Sequence, residues 1–502
     1  MSKSKSAGKS SVKSSSQLPP IIYSHASVHS LGGQSLFESG TVTQNNVAGF
    51  FSENNLLNIA AQKLKAAGFQ ILWINGITIS IGAPADVYER AFGTSLHIED
   101  VPVIKEQAKE DVAQYVRPKE GNIPGLINVS NCSFRDMLEG VSLNEPVYYH
   151  EGPLPPPKPY WHLNVPADVS LGLNADPVHR RGITGKGVRV VMCDTGWYRH
   201  PYFTRRGYNA TPVVLGPGTA NPTNDESGHG TGESANIFAV APDVQFSMVK
   251  MSFVDSAGAF SAAVSLNPQI ISCSWGSSKQ FGPLSANDLV LSAGIANAVS
   301  SGITVVFSAG NGHWGFPGQH PDVISAGGVY MDEQMKLQAS SYSSGFASNI
   351  YAGRNVPDVS GLVGMLPKAM YIMLPVQPSD SIDTGNSGGV FPNGDQTLNN
   401  DGWAAFSGTS AAAPQIAGAA ALLKQLKPSL TPLQIKNILK RTATDVTVGN
   451  CNPNTGGNAA TAGPDIATGY GLVNAFAAAR LAAAPVPFSG AVENQNFPNY
   501  YY

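Results

Sequence analysis

The stretch VRVVMCDTG, residues Val188–Gly196, decides the fold predicted for this chain. Its first six residues form a short, mostly apolar run, which is typical of a strand buried on both faces of a sheet. The runs Gln269–Cys273 and Ile303–Phe307 have the same character, and helical segments alternate with them. This alternation predicts an α/β fold in which a parallel sheet carries helices on both faces.

Polar residues directly follow each of these three runs. Asp194 follows the first run, Ser274–Gly276 follows the second, and Ser308–Asn311 follows the third. In open α/β sheets, ligands bind outside the carboxyl ends of the strands. We therefore expect the three polar clusters to converge on one site, although they are distant in the chain.

Two further segments place a reactive side chain at the start of a predicted helix. They are Gly228–Thr231, which contains His229, and Gly408–Pro414, which contains Ser410. A helix N-terminus carries unpaired backbone N–H groups and a partial positive charge. An oxyanion that develops beside Ser410 would be stabilised there.

Asp194, His229 and Ser410 provide one carboxylate, one imidazole and one hydroxyl. A serine hydroxyl is a weak nucleophile at neutral pH, and it needs a general base that a carboxylate holds in one tautomer. Each motif alone is a weak signal, but the three in this order, at strand ends and helix starts, are specific. The sequence therefore predicts nucleophilic catalysis by Ser410.

The composition and the net charge argue against several other classes of protein. The chain has 502 residues, of which 42% are hydrophobic and 13% are charged, so it can build a large core and is not a disordered or coiled-coil protein. The net charge of −3 indicates no nucleic-acid partner and no general attraction to an anionic membrane. The four cysteines lack the spacing of a zinc site, and free buried thiols are the favoured interpretation.

The chain divides into five predicted segments. Residues 54–69 and 85–92 have helical spacing, and Asn75-Gly76 between two β-rich runs predicts a hairpin. These elements predict a small α+β, ferredoxin-like domain ahead of the larger one. The segments are a basic, Ser-rich disordered tail (1–17), the α+β domain (18–150), a Pro-rich linker (151–160), the α/β domain (161–485) and a C-terminal tail (486–502).

The sequence shows neither the pattern of a secretory signal nor that of a membrane span. The N-terminal tail lacks the apolar stretch of a secretory signal. The most apolar stretch, residues 404–423, is interrupted by glycine and proline and does not read as a membrane span. We therefore expect a cytoplasmic protein, with export by a non-classical route left open.

From about residue 185 to residue 483, the chain resembles the subtilisin-like serine peptidases, or subtilases. The motifs that carry the resemblance are Asp194-Thr195-Gly196, Gly228-His229-Gly230-Thr231, Gly408-Thr409-Ser410 to Pro414, Ser274-Trp275-Gly276, Ala309-Gly310-Asn311, Val356-Pro357-Asp358-Val359 and Gly469 to Asn474. The resemblance implies a subtilisin-like fold and hydrolysis of peptide bonds.

The resemblance also implies roles for individual residues. Asp194 would orient His229, His229 would act as general base and then as general acid, and Ser410 would be the acylated nucleophile. The side chain of Asn311 and the N–H of Ser410 would form the oxyanion hole, in which loss of such an asparagine costs about 10²–10³ in turnover. The residues expected to bind substrate are Ser274, Trp275, Gly276, Ala309 and Gly310. The resemblance implies that the first three pair with the substrate, which adds to them as a strand.

The N-terminal domain is similar to another group with this fold, the sedolisins. Residues 79–96 resemble the end of a sedolisin or kumamolisin-type propeptide, which implies a domain that blocks the cleft in cis and is autoprocessed. The alternative is an independent interaction domain. Sedolisins have Glu in place of His229 and Asp in place of Asn311, so both positions here follow the subtilisins. Gly232 and Glu233 depart from the small or apolar residues usual in subtilases.

A weaker resemblance concerns the C-terminal part of the chain. Asp445, Val446, Gly463 and Asp465 are similar to the calcium loop of sedolisins. Two carboxylates with backbone carbonyls suit Ca²⁺, which takes six to eight oxygen ligands. The same residues could instead form Asx turns and a helix cap, and the two interpretations have equal weight.

The sequence therefore predicts a serine endopeptidase that acts on a peptide or protein substrate through an acyl-enzyme. The alternative from another class is a catalytically silent pseudoprotease that binds peptides as a scaffold. A serine esterase is disfavoured because Gly408–Ala412 lacks the second glycine of a nucleophile elbow. His313 and His320, near Asn311, are interpreted as loop or pocket-wall residues.

Overall fold

The computed structural model describes residues 17–106, 109–149, 162–366, 371–389 and 393–484. The predicted linker (151–160), the predicted C-terminal tail (486–502) and all of the N-terminal tail except Gln17 lie outside the described residues. We call residues 17–149 the N-terminal unit and residues 162–484 the C-terminal unit.

The bounds of the secondary-structure elements are as follows. The strands are β1 (Ile22–Val28), β2 (Gln70–Ile74), β3 (Thr78–Ala83), β4 (Leu96–Glu106), β5 (Lys109–Pro118), β6 (Leu126–Ile127), β7 (Leu138–Leu143), β8 (Tyr148–Tyr149), β9 (His162–Asn164), β10 (Arg189–Asp194), β11 (Ala210–Leu215), β12 (Gln245–Lys250), β13 (Ile270–Cys273), β14 (Trp275–Ser278), β15 (Thr304–Ser308), β16 (Gly315–Phe316), β17 (Ile324–Met331), β18 (Leu337–Ala339), β19 (Phe346–Ala347), β20 (Asn355–Val356), β21 (Val359–Val363), β22 (Tyr371–Pro375) and β23 (Trp403–Phe406). The α-helices are α1 (Asn54–Ala66), α2 (Ala85–Phe92), α3 (Ala167–Gly172), α4 (Asp176–His179), α5 (Pro201–Thr204), α6 (His229–Val240), α7 (Ser256–Ser265), α8 (Ala286–Ser300), α9 (Ser381–Asn386), α10 (Thr409–Leu426), α11 (Pro432–Thr442) and α12 (Ala475–Ala483).

The N-terminal unit is built on an antiparallel sheet with the strand order β2–β3–β1–β7–β6. The core elements occur in the chain order β1, α1, β2, β3, α2 and β7, with β4 to β6 inserted before β7, so the arrangement is the predicted ferredoxin-like one. Leu57 and Leu64 of α1 and Tyr88 and Phe92 of α2 belong to the buried cluster that covers the sheet. Asn75 Oδ1 accepts the backbone N–H of Thr78 at 2.7 Å, which closes the predicted hairpin between β2 and β3.

A hairpin of β4 and β5 lies between α2 and β7 and was not predicted. Its strands pair antiparallel from Leu96, opposite Pro118, to Glu106, opposite Lys109. Pro102 lies within the first strand, opposite Val112, and a proline inside such a run argues against a strand when the sequence is read alone. The hairpin places β4 in contact with β8 and β14.

The main sheet of the C-terminal unit has the strand order β11–β12–β10–β13–β15–β17–β18, and β21 also pairs with β17. The strands β12, β10, β13 and β15 are parallel. Alternate residues of β10 face opposite sides, so Val190 and Met192 pack in the cluster that contains α6 and α10, whereas Val191 and Cys193 pack in the cluster that contains α7 and α8. The predicted parallel sheet with helices on both faces is confirmed.

The N-terminal unit packs on the side of the C-terminal unit that carries α7 and α8. Val42, Phe50 and Ile77 of the N-terminal unit belong to one buried cluster with Leu289 of α8 and Phe260 of α7. The two units therefore share an apolar core. The chain then leaves the N-terminal unit through β8, which pairs with β14.

The four cysteines are free thiols. Cys193, Cys273 and Cys451 are buried as expected, while Cys132 is partly exposed. Among the described residues, none of the helices combines the length and the apolar character needed to cross a bilayer.

Candidate active site

Asp194 and His229 meet at the carboxyl edge of the main sheet. Asp194 is the last residue of β10, and His229 is the first residue of α6. Both side chains are fully buried, and Asp194 Oδ1 accepts the Nδ1–H of His229 at 2.8 Å. The same oxygen accepts the N–H of Thr195 at 2.8 Å. A proton held on Nδ1 leaves Nε2 of the imidazole with its lone pair, as a general base requires.

A buried carboxylate holds the start of α6. Asp225 accepts hydrogen bonds from the N–H of Gly228 (3.1 Å), the N–H of Thr231 (2.8 Å) and the hydroxyl of Thr231 (2.7 Å). These bonds satisfy amide groups that a helix start otherwise leaves unpaired. Asp225 was not identified as a site residue from the sequence. The signal that could have found it is an acidic residue three positions before a glycine, just ahead of a predicted helix.

Glycines flank His229 because two other segments of the chain approach its backbone closely. Gly228 has φ +89°, and a Cβ there would lie 2.0 Å from Asp380 Oδ2. A Cβ at Gly230 would lie 2.5 Å from the carbonyl oxygen of Gly196. The segment that carries His229 is thus pressed against both the loop after β10 and the start of α9.

One carboxyl beside this segment has an unusual affinity for protons. Burial, together with the carboxylates of Asp225 and Asp383, raises the pKa of Asp380 to about 8, although backbone N–H groups donate to it. Asp380, which lies against the segment before His229, therefore holds a proton more tightly than an ordinary aspartate does.

Ser410 lies in the first turn of α10 and is tied to the residue after β13. Its Oγ donates to the carbonyl of Ser274 at 3.0 Å, and the hydroxyl of Ser274 donates to the carbonyl of Ser410 at 2.8 Å. Phe406, at the end of the strand that leads into α10, has its ring centroid 6.4 Å from that of His229. The start of α10 therefore lies beside both β14 and the start of α6.

Asn311 follows β15 and contacts the same helix start. Its Oδ1 accepts the N–H of Thr409 at 2.9 Å and the hydroxyl of Thr409 at 3.0 Å. Thr409 Oγ1 in turn accepts the N–H of Gly310 at 3.1 Å. Two donors at Oδ1 fix the amide orientation and direct the Nδ2 hydrogens of Asn311 away from Thr409. Thr409, whose role was not inferred from the sequence, is the residue that sets this orientation.

The side chains of three predicted substrate-binding residues are buried or bonded within the protein. The side chain of Trp275 is fully buried, with Nε1–H donating to the carbonyl of Cys193 at 2.8 Å. Ser274 is engaged with Ser410, and Ala309 is buried. The backbone of β14 can form strand pairing independently of these side chains. It pairs antiparallel with β8, with Tyr149 opposite Trp275 and Tyr148 opposite Gly276.

The residues of the possible calcium loop face backbone amides. Asp445 Oδ2 accepts the N–H of Gly463 at 2.9 Å, and Asp465 accepts the N–H groups of Thr461 and Thr468 at 2.8 Å. Within the described ranges there is no group of three or more His, Cys, Asp or Glu side chains that could hold a metal ion. Val446 is buried. This donor set fits turns better than Ca²⁺, and calcium binding stays a prediction.

Comparison with known proteins identifies the family of this chain. The model of the Subtilase family matches residues 185–471. Alkaline elastase YaB of Bacillus sp. (strain YaB) is 30% identical over 334 residues, which cover 62% of this chain and 70% of that protein. Subtilisin BL of Lederbergia lenta is 30% identical over 333 residues, which cover 63% of this chain and 99% of that protein.

The fold is also that of a solved structure. Fervidolysin from Fervidobacterium pennivorans, described as a keratinolytic enzyme related to subtilisin, superposes with a TM-score of 0.57 at 16% identity. The match covers 95% of this chain, which spans 64% of the fervidolysin chain. With the family model matched over more than half of its length, this chain belongs to the subtilase family of serine peptidases.

Proposed function

We propose that this protein is a serine endopeptidase whose nucleophile is Ser410, whose general base is His229 and whose orienting carboxylate is Asp194. The observation that carries the proposal is the buried hydrogen bond of 2.8 Å between Asp194 and His229, set beside the first turn of the helix that bears Ser410. A base oriented by a carboxylate next to a serine at a helix start is the arrangement that serine acylation requires.

The reaction begins with a rotation of the Ser410 side chain. Its hydroxyl exchanges the carbonyl of Ser274 for Nε2 of His229, which takes the proton as Oγ adds to the carbonyl carbon of the substrate. The imidazolium then protonates the leaving amine, the C–N bond breaks, and an acyl-enzyme remains. Water activated by His229 hydrolyses this ester, while Asp194 stays ionised and stabilises the imidazolium.

The oxyanion of each tetrahedral intermediate is placed at the start of α10. The N–H of Ser410 and the Nδ2–H of Asn311 are the donors we assign to it, because Thr409 binds Oδ1 of Asn311 and leaves the Nδ2 hydrogens on the other side of the amide. The partial positive charge at the helix N-terminus adds to this stabilisation.

We further propose that the N-terminal unit inhibits the enzyme in cis. The support is the pairing of β8 with β14, because Tyr148 and Tyr149 occupy the strand edge on which a substrate would be added. Glu145, just before β8, accepts hydrogen bonds from Lys279 (2.9 Å) and Ser285 (3.0 Å) of the C-terminal unit. A substrate can pair with β14 only after β8 has left.

An activity-based probe tests the assignment of the nucleophile. After removal of the N-terminal unit, a fluorophosphonate is expected to label Ser410, because only a serine activated by a general base reacts readily with it. Mass spectrometry of the labelled peptide identifies the residue, and protein unfolded before exposure is the control. Absence of the label from folded, processed protein, or a label on another serine, would contradict the assignment.

Processing of the chain tests the role of the N-terminal unit. We expect the wild-type chain to be cut between Tyr149, the last residue of β8, and His162, the first residue of β9. The Ser410→Ala chain is expected to remain whole. Mass spectrometry of the two purified chains reports the cut. A wild-type chain that stays intact and is fully active would show that the N-terminal unit does not block the cleft.

A further inference from the structure

Glu145 is a buried carboxylate between the two units, just before β8. Its side chain is 4% exposed. Oε2 accepts hydrogen bonds from Nζ of Lys279 at 2.9 Å and from the hydroxyl of Ser285 at 3.0 Å, both in the C-terminal unit. Oε1 accepts a hydrogen bond from Arg117 of the N-terminal unit at 2.6 Å. Two of the three donors therefore stay with the C-terminal unit when Glu145 leaves it.

The position of Glu145 follows the pairing of β8 with β14. Tyr148 lies opposite Gly276 in this antiparallel pair. The same count, continued by three residues along both segments, places Glu145 opposite Lys279, and the contact between their side chains agrees with it. Pro146 disfavours helical backbone at the residue before it, which suits a chain that runs along a strand.

The segment between Glu145 and β8 is also held from a second side. The N–H of Val147 donates to the carbonyl of Phe253 at 3.4 Å, and the side chain of Val147 is buried. The chain therefore follows β14 from the side-chain contact of Glu145 to the backbone pair at Tyr148. A polypeptide that replaces β8 in the same register would bring a side chain of its own to Lys279.

We propose that Lys279 and Ser285 bind an acidic side chain of the substrate, three residues before the substrate residue that pairs with Gly276. We call Lys279 and Ser285 the acidic subsite. The proposal rests on the proposed function, because it needs a substrate that takes the place of β8. It adds a preference for glutamate at one position of that substrate.

The C-terminal unit positions Lys279 by itself. Its Nζ pairs with the Asp288 carboxylate at 3.1 Å. Its backbone N–H donates to the carbonyl of Trp314 at 2.8 Å, and its own carbonyl accepts a hydrogen bond from Nε2 of Gln319 at 2.8 Å. These contacts do not involve the N-terminal unit. An ammonium group has three donors, so Asp288 leaves capacity for a second carboxylate.

The hydroxyl of Ser285 is oriented by the start of α8. Ser285 Oγ accepts the N–H of Asp288 at 3.2 Å, and Asp288 Oδ2 accepts the N–H of Ser285 at 3.0 Å. This capping box lies within the C-terminal unit, so Oγ still has its hydrogen to donate once Glu145 has left. The partial positive charge at the start of the helix adds to the attraction for an anion.

The charges around the acidic subsite set the size of the preference. In the docked state Lys279 lies between Glu145 and Asp288, and Arg117 supplies a second cation to Glu145. Burial would lower the pKa of Lys279, but the carboxylates of Asp288 and Glu145 raise it above its usual value, so Lys279 is a cation. A substrate lacks the help of Arg117 and meets the repulsion of Asp288. We therefore expect a preference for glutamate over glutamine of about tenfold, the lower end for a hydrogen bond to a charged group.

The experiment uses peptides that copy residues 143–160, LNEPVYYHEGPLPPPKPY. The parent peptide and its Glu145→Gln form compete in one sample of wild-type protein cut between Tyr149 and His162, and mass spectrometry reports the ratio of their kcat/KM values. This ratio should be about ten in favour of the parent. Both peptides meet the same sample, so the amount of active enzyme and any inhibition by the N-terminal unit cancel in the ratio.

A third peptide tests the register. It exchanges the residues at positions 144 and 145, which keeps composition and charge but moves the acid to the opposite face of the strand. We expect it to be cut as slowly as the glutamine peptide. If it were cut as fast as the parent, general attraction between charges would explain the preference and the acidic subsite would be overturned.

Variants of the protein test the assignment to Lys279. Lys279→Gln should lower the ratio to about one, whereas Lys279→Arg keeps the cation and should keep most of the preference. Lys186→Gln is the matched control, because Lys186 is exposed in the C-terminal unit and should leave the ratio at about ten. If Lys279→Gln does not yield folded protein, the three peptides with the wild type decide.

Binding separates this proposal from the proposed function. Ser410→Ala protein, cut between Tyr149 and His162 by an added peptidase that is then removed, is titrated with labelled peptides of residues 143–150. Their fluorescence anisotropy should give apparent Kd values that differ by about tenfold between the glutamate and glutamine forms. If the wild type cuts no peptide but this difference is present, the proposed function fails and the acidic subsite stands. A ratio near one, or a parent peptide that does not bind, would overturn the acidic subsite.

Discussion

Replacing Ser410 with alanine is expected to lower kcat/KM for peptide hydrolysis by about 10⁶-fold, the size of the effect that loss of the nucleophile has in subtilisin. The hydroxyl is the only atom group removed, and its partner in the structure is the carbonyl of Ser274. An acyl-enzyme cannot form without Oγ. The remaining acceleration would come from the oxyanion donors and substrate binding, which the variant keeps.

The measurement compares hydrolysis of a fluorogenic peptide by wild type and Ser410→Ala, each cut between Tyr149 and His162 by the same added peptidase, which is then removed. The variant should fold normally because alanine suits a helix and removes only one hydrogen bond. Ser300→Ala, at the exposed end of α8, is the control for loss of a serine hydroxyl. Activity of Ser410→Ala within tenfold of wild type would exclude Ser410 as the nucleophile.

The change Asp194→Asn should lower kcat/KM by about 10⁴-fold near neutral pH. Asp194 Oδ1 accepts from both His229 Nδ1 and the N–H of Thr195. An asparagine amide can turn its NH₂ group toward the ring, which then carries its proton on Nε2 and cannot accept one from Ser410. The negative charge that stabilises the imidazolium is also lost.

The same fluorogenic assay checks this expectation, and near-ultraviolet circular dichroism shows whether packing is retained. Asp243→Asn serves as the control, since Asp243 is exposed in the C-terminal unit. A loss of less than about tenfold would mean that the hydrogen bond between Asp194 and His229 does not orient the general base.

The elements that carry the site could be predicted because their signals are local. The run of β10, the small residues around His229 and the alanine-rich start of α10 each occupy a few consecutive residues, and the structure has β10, α6 and α10 close to the predicted bounds. The convergence of strand ends followed from the parallel sheet alone. Asp194 and His229, 35 positions apart, meet at that edge.

The contacts that were missed join residues far apart in the chain. Ser274 and Ser410 exchange hydrogen bonds across 136 positions, and β8 pairs with β14, more than 120 positions further along the chain. Neither β8 nor β14 has a sequence pattern that identifies the strand with which it pairs. His313 and His320 lie in loops, as predicted, but a sequence shows neither their burial nor their contacts with the carbonyl groups of Ile104 and Val42.

The pairing of β8 with β14 has a consequence for which proteins this enzyme can digest. A polypeptide that takes the place of β8 must be extended, since only a straight backbone offers its N–H and C=O groups to a strand edge. Helices would have to unwind and compact domains would have to release a segment before the bond reaches Ser410. Susceptibility should therefore follow the ease of local unravelling in the target, so that loosely folded or damaged chains are degraded ahead of stable ones.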